Sequence, residues 1–469
     1  MKLRRKFGFA LAVAAIASPI AVTGVRAGTS IEGTGATFPA NLIDICAAQY
    51  NRNTLNNTAS DTVAYVSPTG SGAGKTAFTN QTKAWAATDS IYTSGAPTFG
   101  YVYVPIISGA ISVMYRLDGV SPAGANVRLS PTTVGKIFAG EIKTWDDAAI
   151  KADNTATTTP AVSKVAKGGV TVKATKSGTK VKFAITATPA GLKKFKGKNV
   201  TIIKTVTTPA SGATAAKVVT TTAKVLPVAK TAAASVAYSA NTTYAIKIST
   251  TSLGSVGVDA AVSGVTLTLP STPIKVAYRS GTSGTTNNFT NFLNKAVGSI
   301  WTKTANDSFS TAFPTTLPSD GTFQSASGSD GVANYVRDNN GSITYTELSY
   351  VEERKTASIQ SAAIKNNAGV YVLPSAAGTG AFYAEAVVAA DGVVTPDYTV
   401  AAADAYLINA VSYGLGATAS STANTAIRSW FTYFVDKCAP VSAAGAFYAP
   451  LAGAIKAKAL AQAAKVGAS

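Results

Sequence analysis

The stretch 274–293, "IKVAYRSGTSGTTNNFTNFL", decides how this chain is read. It predicts a strand, then a turn rich in Gly, Ser and Thr, then a helix. Such a turn opens the helix with unpaired backbone amides and puts the positive end of the macrodipole beside them. Arg279 at the strand end adds a planar cation able to give paired hydrogen bonds to an oxyanion. Ser283, Gly284 and Thr285 add two hydroxyls and a run of amides.

The same plan occurs twice more, at 67–80, "SPTGSGAGKTAFTN", and at 33–47, "GTGATFPANLIDICA", where Thr37 and Phe38 precede a helix. The former nearly matches the phosphate loop of nucleotide hydrolases, which needs Gly, four free residues and then Gly-Lys-Ser/Thr. Gly74, Lys75 and Thr76 supply the end, but Thr69 stands where the leading glycine belongs. Asp89 follows too closely to serve as the magnesium-binding acid of such an enzyme. What remains is a glycine-rich turn, with a helix expected over 75–87. A plain strand-to-helix turn capped by Ser71 is the competing reading. Three such turns in one chain, one of them with an arginine, point to an anion held between elements.

Composition narrows the class. The chain has 469 residues and no histidine, which removes Ser-His-Asp and Cys-His nucleophile systems and His-ligated metals. The start, "MKLRRKFGFALAVAAIASPIAVTGVRAGTS", has a basic head, an apolar run and small residues, as a secretory signal over 1–27 cleaved near Ala27 would. A soluble, exported mature chain is expected, in the periplasm or outside the cell envelope. Cys46 and Cys438 would there form one disulfide or remain as two buried thiols. The net charge of +19 suggests nucleic acid until it is located: the first 27 residues hold five basic groups, and 155–258 holds fifteen lysines and no acid. The rest is nearly neutral, and no nucleic-acid partner is expected.

Along the chain, 28–154 mixes short apolar strands ("VAYVS", "YVYVPIIS", "AISVMYRL") with helical spacing in "FPANLIDICAAQYN" and "SPTTVGKIFAGEIKTWDDAAIKA". This predicts an α/β domain. From 155 to 270 the chain becomes Thr, Val, Ala and Lys in alternation, predicting an inserted all-β sandwich of immunoglobulin-like size. Its lysines fall on the polar phase. They read either as a solvated face that discourages edge pairing or as a surface for an anionic envelope polymer. The α/β style resumes at 271.

In order, "GTGATFPANL", "SPTGSGAGKTAF", "AATDSIY", "SPTTVGKIFAGEIKTWDDAAI", the 274–293 stretch, "GSDGVANYVRDNNGSITYTELSYV" and "YAPL" resemble the phosphate-binding protein of the bacterial phosphate ABC transporter. The resemblance covers 31–154 and 271–465. It implies the two-lobed, hinged fold of type II periplasmic solute-binding proteins. One lobe would join 28–107 to 365–469, the other 108–154 to 271–364. It also implies a site of Thr37, Phe38, Ser71 and Asp89 facing Arg279, Ser283, Gly284 and Thr285. Lys75 is left outside. The chain departs from that family at Gly281, where an acid is usual two residues after the arginine, and in the 155–270 insert.

The resulting expectation is a monomeric extracytoplasmic binding protein for inorganic phosphate. It would deliver its ligand to the permease subunits of an ABC importer, without metal, cofactor or covalent chemistry. An envelope adhesin or scaffold acting through the lysine-rich β-domain, and an exported phosphate-ester hydrolase, are the alternatives.

Overall fold

The computed structural model describes residues 28–53, 55–159, 164–177, 179–208, 217–239, 242–257, 261–263 and 265–469. The signal segment expected over 1–27, with its expected cleavage near Ala27, lies outside them. The chain divides into two compact units, one reaching Asp147 and resuming at Pro270, the other Ala148–Leu269. Among the described residues no helix is long and apolar enough to cross a membrane.

The first unit is built on β1 (Ser30–Gly35), β2 (Thr62–Tyr65), β3 (Trp85–Thr88), β4 (Tyr101–Arg116), β5 (Lys275–Arg279), β6 (Phe323–Ala326), β7 (Ser342–Glu347) and β8 (Asn409–Ala417). Their order is β6-β5-β7-β4-β8-β3-β1-β2, with Ile359–Ser361 also on β4. The 16-residue β4 makes two lobes from one sheet path. Its first part pairs with β8 through Ala110, and its later part with β7 from Ile111 to Tyr115. Pro105 lies where the β4–β8 register shifts, a place where its missing N–H costs no ladder bond. β3 joins β8 antiparallel, and the pairings farther out are parallel, β1 with β2 and β3, and β5 with β6 and β7. The fold of this unit is two-lobed α/β.

Four helices start at the strand ends of these lobes: α1 (Ala40–Tyr50), α2 (Ser71–Thr79), α3 (Gly284–Ala296) and α4 (Gly328–Asp338). α3 buries Phe289, Phe292 and Leu293, and α4 buries Val332, Ala333 and Val336, each set spaced to share one helix face. Three local expectations are corrected. The helix expected over 75–87 is α2, which starts at Ser71 and ends before Gln81 at φ 54°; Trp85–Thr88 is instead a wholly buried strand. The helical segment 130–152 is two helices, Pro131–Phe138 and Ala148–Asp153, because Gly140 at φ 76° ends the first. "YVYVPIIS" and "AISVMYRL" are one strand.

The second unit holds two four-stranded antiparallel sheets. One comprises Lys164–Lys167, Val170–Ser177, Lys180–Ala187 and Thr231–Ala237, the other Asn199–Thr208, Lys217–Pro227, Thr242–Ile248 and Thr251–Gly257. Val172, Phe183, Ile185, Val200, Ile202, Tyr244 and Ile246 from both sheets form a common core, with the Phe183 and Tyr244 rings 5.0 Å apart. The alternation in Lys180–Ala187 is strict, exposed lysines against buried Val181, Phe183 and Ile185. Sequence reading missed the helix Pro189–Lys194, which Thr188 caps.

Cys46 of α1 is disulfide-bonded to Cys438 across a sequence separation of 392, which settles the alternative left open above. So long a closed loop restricts the unfolded chain strongly. Replacing both cysteines by alanine is expected to lower stability by about 2–4 kcal/mol. Guanidinium titration followed by tryptophan fluorescence reads this unit alone, since Trp85, Trp145, Trp301 and Trp430 all lie in it.

Candidate functional site

The two glycine-rich turns meet. A Cβ on Gly72 would stand 1.8 Å from Thr282 Oγ1, and one on Gly284 would stand 2.5 Å from Ser71 Oγ and 2.6 Å from the Asp89 Cβ. Neither position admits a side chain, so the start of α2 and the start of α3 touch through bare backbone. The Gly72 amide donates to the Thr282 carbonyl at 3.2 Å. Asn288 Nδ2 of α3 donates to the Asp89 carbonyl at 2.6 Å. Ser71 does not cap α2, whose cap is Gly70 at φ 150°. Its hydroxyl instead accepts from the Asp89 amide at 3.0 Å and donates to Asp89 Oδ2 at 3.4 Å.

Asp89 directly follows β3 and is 3% exposed. Ser412 Oγ of β8 donates to its Oδ1 at 2.5 Å. Burial pushes the Asp89 carboxyl up to about 7; the Ser412 bond opposes this, Glu347 adds to it, and Arg279 and Ser71 work against it. Arg279 at the end of β5 is 2% exposed. Its Nη1 donates to Ser329 Oγ at 3.1 Å and its Nη2 to the Thr69 carbonyl at 3.3 Å. Its Nε is buried with no partner among the described residues. No carboxylate pairs with it there, and the family's usual acid is replaced by Gly281, around which there is open space.

The remaining predicted residues take different roles. Thr37 Oγ1 lies 2.8 Å from Ser329 Oγ, which ties it to the Arg279 guanidinium. The Phe38 carbonyl accepts from Tyr448 at 2.6 Å, and the two rings meet edge to face. Ser283 commits its amide to the Asp307 carbonyl at 2.8 Å and its hydroxyl to capping α3 through the Thr286 amide at 3.3 Å. Thr285 Oγ1 donates to Glu347 Oε1 at 3.0 Å. Ser71, Asp89 and Gly284 are thus in mutual contact, and Thr37 joins Arg279 through Ser329. Phe38, Ser283 and Thr285 lie on the same turns with partners of their own.

Sequence reading missed Ser329, Ser412 and Glu347. Ser329 had a signal, since "SASGSDGVANYV" is a further glycine turn opening a helix, here α4 behind Gly328 at φ 69°. Ser412 and Glu347 lie inside strands and carry none. Lys75 pairs with Asp307 at 2.8 Å and also donates to Ser90 Oγ at 3.1 Å, apart from Arg279 and Asp89.

The raised carboxyl has a defined sign. Folded Asp89 holds a proton to about pH 7, whereas an unfolded aspartate releases it near 3.8. Its contribution to stability is full below the lower value and is lost as pH rises through the higher one. Relative to Asp89→Asn, the ligand-free chain should lose up to about 4 kcal/mol between pH 4 and pH 8. Denaturant titrations at stepped pH check this.

The family model described as PBP superfamily domain matches residues 21–156 and 148–437. "Phosphate-binding protein PstS" of Xylella fastidiosa is 38% identical over 110 residues, 24% of this chain and 27% of that protein. PstS of Haemophilus influenzae is 37% identical over 110 residues, 24% and 30% of the two chains. The match therefore spans under a third of these relatives' length. A high-affinity periplasmic phosphate-binding protein, PfluDING, solved with phosphate, superposes with a TM-score of 0.54 at 21% identity, covering 92% of this chain and 93% of that one. A phosphate-binding protein from Stenotrophomonas maltophilia gives 0.50 at 16% identity, covering 92% and 93%. These two likenesses establish the fold. With a family model covering most of its length and a two-lobed α/β unit to match, the chain belongs to the PBP superfamily.

Proposed function

We propose that this chain is an extracytoplasmic binding protein that takes one inorganic phosphate between the lobes of its first unit and delivers it to an ABC-type importer. The observation that carries the reading is the burial of Asp89 and Arg279 in one junction without an ion pair between them. Arg279 Nε and the starts of α2, α3 and α4 supply donors and positive dipole ends for an anion. Each charge-assisted hydrogen bond contributes about 1.5–3 kcal/mol, so a handful reaches the roughly 8 kcal/mol of micromolar binding.

A carboxylate repels an anion unless a proton lies between them. Ionised Asp89 only accepts, and phosphate near neutral pH still carries a proton to give, whereas sulfate has none. A site that demands such a bond rejects an analogue lacking it by roughly 10⁴–10⁵-fold. A hydrolase would need a nucleophile and base, and the chain has no histidine.

In this reading the proposed cage is Thr37, Phe38, Ser71 and Asp89 with Arg279, Ser283, Gly284 and Thr285. The second unit is then an immunoglobulin-like insert lying outside the cage. One observation favours an envelope role for it. Lys164 opposes Lys173 on neighbouring strands, and Lys180 and Lys182 share their exposed face. Such a face suits an anionic envelope polymer. Pull-down on isolated envelopes, with and without 155–270, tests that role; equal retention removes it.

Calorimetric titration of the mature chain with phosphate, sulfate and arsenate tests the main reading. Arg279→Ala should weaken phosphate binding by orders of magnitude, and wild-type affinity would move the site elsewhere. Asp89→Asn should admit sulfate as a competitor; unchanged selectivity would remove the proton-reading role. Excising 155–270 behind a short linker should leave phosphate affinity nearly intact.

A further inference from the structure

Lys75 belongs to the near-match to a phosphate loop, yet the proposed cage leaves it unused. An ammonium has three protons to give. Lys75 Nζ gives them to Ser90 Oγ and the Ile91 carbonyl, each at 3.1 Å, and to Asp307 Oδ2 at 2.8 Å. None is left for an anion. Ser90 and Ile91 follow β3, on the same side of β4 as α2, whereas Asp307 follows α3 on the other side. The ion pair therefore joins one lobe to the other.

Both partners are held in place within their own lobes. Ser90 and Ile91 fix the ammonium. Asn287 Nδ2 of α3 donates to Asp307 Oδ1 at 2.9 Å, and the Asp307 carbonyl accepts from the Ser283 amide at 2.8 Å. Ser90 Oγ also donates across to Asp307 Oδ2 at 3.0 Å, closing a triangle with Lys75. The two charged side chains are 13% and 15% exposed, so salt screens the pair little. They line a cleft of about 870 Å³ together with Gly72 and Thr282, whose backbones meet between the turns. The pair thus stands on the solvent side of that contact.

Resting on the phosphate reading above, we infer that Lys75, Ser90 and Asp307 form a latch between the lobes. It sets how much of the free chain is closed and how long phosphate stays bound. Opening leaves Lys75 with Ser90 and Ile91, and Asp307 with Asn287, but breaks the ion pair and the bond from Ser90 to Asp307. A contact made only in the closed state raises the population of that state, and a ligand caged there binds more tightly by the same factor. The two charges oppose each other, so the intact pair adds little net field at the anion.

Asp307→Asn separates a latch from plain electrostatics. If only the field mattered, removing a negative charge beside an anion site would tighten binding. Loss of the latch instead weakens phosphate binding about tenfold, chiefly through faster dissociation. The test combines calorimetry and stopped-flow release of inorganic phosphate from the mature chain with distances between spin labels in the ligand-free chain. The labels sit on single cysteines introduced in α2 and α4, the native pair being bonded to each other. Asp307→Asn and Lys75→Met should each speed release and lengthen the mean distance between the labels. The double variant should be no worse than either single one. Lys75→Met leaves the Asp307 bonds to Asn287 and Ser283 in place, so a poorly folded Asp307→Asn would not remove the test. Tighter phosphate binding by Asp307→Asn, losses that add in the double variant, or label distances unchanged in the variants overturn the latch. A wild-type chain that binds no phosphate overturns the reading beneath it, and the label distances then decide the latch alone.

Discussion

An acid and a guanidinium are buried in one junction, and neither neutralises the other. Asp89 is held by two serine hydroxyls and Arg279 by a serine and a carbonyl, so each keeps capacity for a further partner. Burying unpaired charge is costly, and a fold retains it where a ligand or a proton makes up the difference. The raised Asp89 carboxyl is the proton answer in the free chain, and in the reading proposed above an anion bearing its own proton is the ligand answer.

The rest of the first unit serves to bring those two groups together. β4 runs through both lobes and holds β3 in one through β8 and β5 in the other through β7, placing Asp89 just after one strand and Arg279 at the end of another. Helix starts follow the strands, and bare glycines at 72 and 284 let the turns approach to contact distance. Lys75, Ser90 and Asn287 converge on Asp307 beside the same turns. The position of the charges therefore depends on backbone that no larger residue could replace.

Much of this was legible in the sequence, and the gaps have physical causes. Strand, glycine turn and helix repeat in the chain, and the period of the apolar residues marks α1 and α3 well. Trp85–Thr88 was hidden because a strand buried on both faces has no alternation, and its apolar run also fits a helix. The break at Gly140 was missed because apolar spacing continues past it. Ser412 and Glu347 became visible only through pairing, one from β8 against β3 and the other at the end of β7. Side chains brought together by strand register leave no local pattern. In the second unit alternation was almost complete evidence, since each sheet has one buried and one wet face.

The most direct measurement is a crystal of the mature chain grown with orthophosphate. A tetrahedral anion should occupy the junction, with one oxygen against Asp89 and another against Arg279 Nε. A junction empty of phosphate at saturating ligand, or an anion bound on another surface of the chain, would contradict the central claim.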